Sequence, residues 1–100
     1  MDIVNNQASD KPIDFSAFIL SLSTTALLQL GVIENPYTKK REKDVAMAKG
    51  TIDVLGLIKE KTKGNLTKEE DALLEGILAE LRMTYYKMNA EQGAKTNEES

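Results

Sequence analysis

A chain of 100 residues and 11.1 kDa holds one domain and leaves no room for a second. Thirteen Lys and Arg against sixteen Asp and Glu give a net charge of −3, with 41% apolar and 29% charged residues, the composition of a soluble globular protein. The chain contains no Cys, no His and no Trp. Disulfides, thiolate nucleophiles, Cys- or His-ligated metals and imidazole bases are therefore excluded, and stacking platforms for bases are scarce.

Residues 1–13 are polar, carry Asn5-Asn6-Gln7 and Pro12, and show no apolar period. They are expected to be a flexible N-terminal tail, without the basic start of a signal peptide. A first helix is predicted over 15–30, with Asp14 as its N-cap and Gly31 in the left-handed position after its end. From Phe15 to Ile33 there is no charge across nineteen residues. That length nominally spans a bilayer, but Ser16, Ser21, Ser23, Thr24, Thr25 and Gln29 interrupt it, so neither a membrane span nor an interfacial helix is expected.

Asn35-Pro36 then predicts a turn, and Lys39-Lys40-Arg41 keeps the connection solvated. A second helix is predicted over 44–63, with Asp44 at its start, Lys59, Lys61 and Lys63 near its end, and Gly64 stopping it. Thr67-Lys68-Glu69-Glu70 has capping-box spacing and opens a third helix over 68–88. So short a connection predicts that the second and third helices fold back as an antiparallel hairpin. Residues 89–100 show no apolar period and are expected to be a flexible C-terminal tail, leaving 14–88 as the helical domain. No segment alternates with period two, so the fold class is all-α.

The third helix carries a heptad stripe of Leu74, Leu78, Leu81, Tyr85 and Met88, flanked by Leu73 and Ile77. A second line, Ala72, Gly76, Ala79, Met83 and Tyr86, has the same spacing and consists mostly of small residues. It reads either as a second helix-packing seam or as a weakly polar exposed face. Gly50, Gly56 and Gly76 lie inside predicted helices, where each points to a close helix crossing or to a weakened helix. The first helix has apolar side chains at every angle. Leu20 and Leu27 lie nearly in line, with Phe18 and Leu22 on the other side.

Two partner helices do not cover such a helix all round. The expected assembly is therefore a homo-oligomeric helical bundle, most simply a dimer, with Phe15, Phe18, Ile19, Leu22, Leu27 and Leu30 at the oligomer interface. The hydroxyls of the first helix are expected to bond the carbonyl one turn back.

The run Phe15-Ser16-Ala17-Phe18-Ile19-Leu20-Ser21-Leu22, then Leu30-Gly31 with Asn35-Pro36, Ala48-Lys49 with Thr51-Ile52-Asp53 and Leu55, and Lys61-Thr62-Lys63-Gly64-Asn65-Leu66-Thr67 resembles the small bacterial domain of unknown function 1844 family. The resemblance extends over 15–85, and the lysine-rich run into Thr67 is its most specific part. Tyr37-Thr38-Lys39-Lys40 departs from the shorter turn that the resemblance leads one to expect. It implies a bacterial, cytoplasmic, all-helical protein and assigns no activity.

Candidate chemistry is sparse. Lys39, Lys40, Arg41 and Lys43 form one basic group and Lys59, Lys61, Lys63 and Lys68 another, about 25 Å apart along a helix rising 1.5 Å per residue. Neither has the interleaved aromatics of a nucleic-acid face. Glu69, Glu70, Asp71 and Glu75 are what a helix start attracts. No phosphate-loop or dinucleotide motif is present. The expectation is a self-associating structural or protein-interaction module without catalytic activity, cofactor or metal. Its partner is a second copy of itself, with an unidentified protein as another candidate. The alternative is a binding module for an apolar ligand or nucleic acid formed only in the oligomer.

Overall fold

The computed structural model describes the backbone of residues 14–99 and the side chains of residues 14–91, so the expected N-terminal tail lies outside the described residues. Three helices follow one another: α1 (Phe15–Leu30), α2 (Val45–Lys61) and α3 (Lys68–Glu99). There is no strand among the described residues.

Each boundary has a local cause. The Asp14 carboxylate accepts the Ala17 N–H at 2.7 Å and caps α1. At the other end Gly31 takes φ +78°. Its N–H donates to the Leu28 carbonyl at 3.1 Å while Val32 N–H donates to the Leu27 carbonyl at 3.2 Å, the paired bonds of a Schellman close. A Cβ at position 31 would also lie 3.2 Å from that of Lys43, because the connection folds back over the end of α1. Asp44 N–H donates to the Gln29 carbonyl at 2.7 Å and pins that return. Within the connection, the Asn35 side-chain oxygen accepts the N–H groups of Tyr37 and Thr38, forming the turn around Pro36.

The Asp44 carboxylate then accepts Met47 N–H at 3.0 Å and starts α2 one residue later than the sequence suggests. Gly64, at φ +86°, turns the chain beyond α2. Thr67 and Glu70 close a reciprocal box: Thr67 N–H donates to the Glu70 carboxylate at 2.9 Å and Glu70 N–H to the Thr67 hydroxyl at 3.1 Å.

The core takes three residues from each helix: Ile19, Ala26 and Leu30; Ala48, Ile52 and Leu55; Leu74, Leu78 and Leu81. Tyr85 and Met88 extend the α3 stripe as half-buried neighbours. No polar or charged residue among those described is buried.

The largest departure from the sequence expectation is at the C-terminal end. α3 continues eleven residues past Met88, through the stretch expected as a tail. The apolar stripe ends at Met88, but extending an existing helix carries no nucleation cost, and Ala90, Glu91 and Gln92 favour it.

Candidate functional site

Among the described residues, no group of three or more acidic, His or Cys side chains is placed to hold a metal ion. The acidic run at the start of α3 is divided between local tasks: Glu70 closes the capping box and Glu75 lies 3.6 Å from Lys59 of α2. An open groove of about 720 Å³ lies between the ends of α2 and α3. Lys59, Lys63, Lys68 and Arg82 line it together with Asp71 and Glu75, so its charge is mixed. The basic residues Lys39, Lys40, Arg41 and Lys43 are exposed on the α1–α2 connection, at a separate place. Lys49 pairs with Asp53 at 2.9 Å, and that hydrogen bond and charge hold its amine above the ordinary lysine value.

The distribution of apolar side chains is more informative. α1 turns Ile19, Ala26 and Leu30 inward and Ala17, Phe18, Leu20, Ser21, Thr24 and Thr25 outward. The Thr24 and Thr25 hydroxyls donate one turn back to Leu20 and Ser21 carbonyls, each at 3.1 Å, as expected, although on the exposed face. Of the residues expected at an oligomer interface, Phe15, Leu22 and Leu27 are half-buried against the chain's own core. Ile19 and Leu30 are fully enclosed by it and have no surface left to offer, which corrects their assignment to an interface. Their neighbours Phe18 and Leu20 are the large apolar residues that α1 presents outward, about 160° apart around the exposed side.

On α2, Met47, Gly50, Val54 and Leu57 form an exposed row spaced three, four and three. This row is absent from the sequence expectations, although its heptad spacing is visible in the sequence. On α3 the second line is exposed throughout. Ala72, Gly76 and Ala79 lie open, and Met83 and Tyr86 project with 73% and 67% of their surface accessible. This line runs opposite Leu74, Leu78 and Leu81 on the helix.

The glycines separate accordingly. A Cβ on Gly56 would lie 3.0 Å from the Arg82 guanidinium, the far end of a long side chain reaching over from α3, so this glycine makes room for an arginine and marks no close approach of the helix backbones. Cβ atoms on Gly50 and Gly76 would meet nothing within 4 Å. Those two sit in exposed rows, at about 1 kcal/mol each relative to Ala, with no packing reason among the described residues.

Residues 12–87 match the family described as Domain of unknown function (DUF1844). The chain belongs to the DUF1844 family. No curated protein and no solved structure gives a significant match. The DUF1844 match takes in α1, α2, the capping box and both exposed rows, and it ends before the last twelve residues of α3. No helix among the described residues is long and apolar enough to cross a membrane.

Proposed function

We propose that this DUF1844 chain is a non-catalytic helical module that works by self-association, as a structural or adaptor protein of the bacterial cytoplasm. The observation that carries this is the ratio of covered to uncovered apolar surface. Eight large apolar or aromatic side chains are exposed among the described residues, against a core of nine. Scattered single apolar residues are normal, but rows at heptad spacing on two helices mark interaction faces. A domain of this size also has little core to spare, so an oligomer adds burial where the single chain is short of it.

The bundle in this proposal is a helix followed by an antiparallel hairpin. The order of contacts supports that arrangement, since Lys59 lies beside Glu75 while Gly56, earlier in α2, lies beside Arg82, later in α3. The simplest assembly is a dimer, and another protein is the other candidate partner.

Light scattering and sedimentation of the unmodified protein at micromolar concentration test the proposal. A mass of twice the 11.1 kDa chain is expected, and a well-folded monomer would overturn it. Metal analysis of the same preparation is expected to find no stoichiometric divalent ion, and one equivalent would overturn the metal-free part of the proposal.

A further inference from the structure

We infer that the exposed row of α3 is the dimer contact, and that its occupant is the same row of a second copy, antiparallel about a twofold axis at Ala79. The inference rests on the self-association proposed above and names the surface that performs it. The row is asymmetric along its length. Its N-terminal half is small, with Ala72 and Gly76, and lines a shallow cleft of about 560 Å³ together with Leu78, Ala79 and the charged side chains of Lys59, Glu75 and Arg82. Its C-terminal half is large, with Met83 and Tyr86 standing out from the helix.

An antiparallel partner centred on Ala79 places large against small at both ends. Tyr86 of one copy lies seven residues from the centre and meets Ala72 of the other, also seven away. Met83 meets Gly76 within one residue of register. The two Ala79 residues meet each other. Gly76, whose Cβ would touch nothing among the described residues, then has a reason to be glycine: it receives a methionine.

The flanking charges select the same orientation. On the flank toward α2 stand Glu75 and Arg82, and on the opposite flank Glu69, Glu80 and Lys87. A twofold antiparallel pair keeps each flank against its own copy. Arg82 then faces the second Glu75, and Lys87 comes within two residues, about 3 Å of rise, of the second Glu69. Lys87 has no ion-pair partner among the described residues, while the Arg82 guanidinium lies against Gly56 and Glu75 lies 3.6 Å from Lys59, so this contact requires both side chains to turn from α2 toward the second copy. A parallel pair would set opposite flanks together, bringing Arg82 to Lys87 and Glu75 to Glu80, all of like sign. It would also put Gly76 on Gly76 and leave a void.

The chain has no cysteine, so single cysteines report the geometry directly. Disulfides need Cα atoms about 4.4–6.8 Å apart. Ala79→Cys is expected to give a disulfide-linked dimer under mild oxidation. Gly76→Cys and Met83→Cys, displaced from their own copies by about 9 and 12 Å of helix rise, are expected not to link alone but to link when mixed. Asp53→Cys on α2 is the collisional control and should link roughly tenfold more slowly or less, because paired cysteines see an effective concentration near millimolar. All four positions are exposed, so the variants retain the fold, which circular dichroism checks.

Self-linking of Gly76→Cys and Met83→Cys would show a parallel seam and overturn the antiparallel pairing. A protein that sediments as a dimer while Ala79→Cys links no faster than Asp53→Cys would overturn the α3 contact and leave self-association standing on another face or helix. A monomer in sedimentation would overturn both.

Discussion

Thr67 and Glu70 fix the start of α3 with two reciprocal hydrogen bonds, each satisfying a backbone donor that a helix start leaves open. Thr67→Ala removes one of them and should lower stability by about 1 kcal/mol in denaturant unfolding, with the slope of the transition unchanged. Gly31 and Gly64 share a left-handed backbone but differ in their surroundings. Alanine at 64 pays only the conformational cost, about 1–2 kcal/mol, whereas at 31 it also presses on Lys43, so Gly31→Ala should be the more damaging of the two. The Lys49–Asp53 pair is exposed and weighs little. Its lysine is shifted upward, so whatever it contributes is fully present below the ordinary lysine value and is lost only as pH climbs past the raised one. Melting temperatures of the native protein and of Asp53→Asn should therefore run parallel from about pH 6 to pH 9. These residues were legible in the sequence because caps, boxes and left-handed glycines obey rules spanning four or five residues, and nothing distant overrides them.

At the level of the helices, legibility depended on whether a face could be assigned without knowing its neighbours. The α3 stripe from Leu74 to Met88 could be, since its apolar and charged positions separate cleanly. α1 could not. With no charge to mark an outer side, Ile19 and Leu20 look equivalent in sequence, yet Ile19 is fully enclosed and Leu20 is half exposed. The two positions should behave oppositely. Ile19→Glu puts an unpaired carboxylate in the core and is expected to unfold the domain, while Leu20→Glu should leave the circular dichroism spectrum and the cooperative melt intact. Equal damage from both would mean that the outward side of α1 is covered in solution. The end of α3 was missed for a related reason. A stripe reports where a helix stops being packed, and the backbone stops being helical eleven residues later.

For the whole molecule, the question is how much of its stability belongs to one chain. Among the described residues, nine core side chains and no buried polar network make a small cohesive centre, and the rows on α2 and α3 are left for something else to cover. If a second copy covers the α3 row, folding and association are linked by mass action, because the dimer exists only from folded chains. A tenfold rise in protein concentration is then worth about 1.4 kcal/mol per dimer, which over two chains of this length corresponds to about 3–6 °C in melting temperature. Met83→Lys keeps every core contact and removes the more exposed of the two large side chains of the row, so its fold should survive while its melting temperature becomes lower and independent of concentration. Calorimetry of both proteins over a hundredfold concentration range measures this directly. A native melting temperature that does not move with concentration would show that the single chain is stable by itself, and that its exposed rows serve a partner other than a second copy.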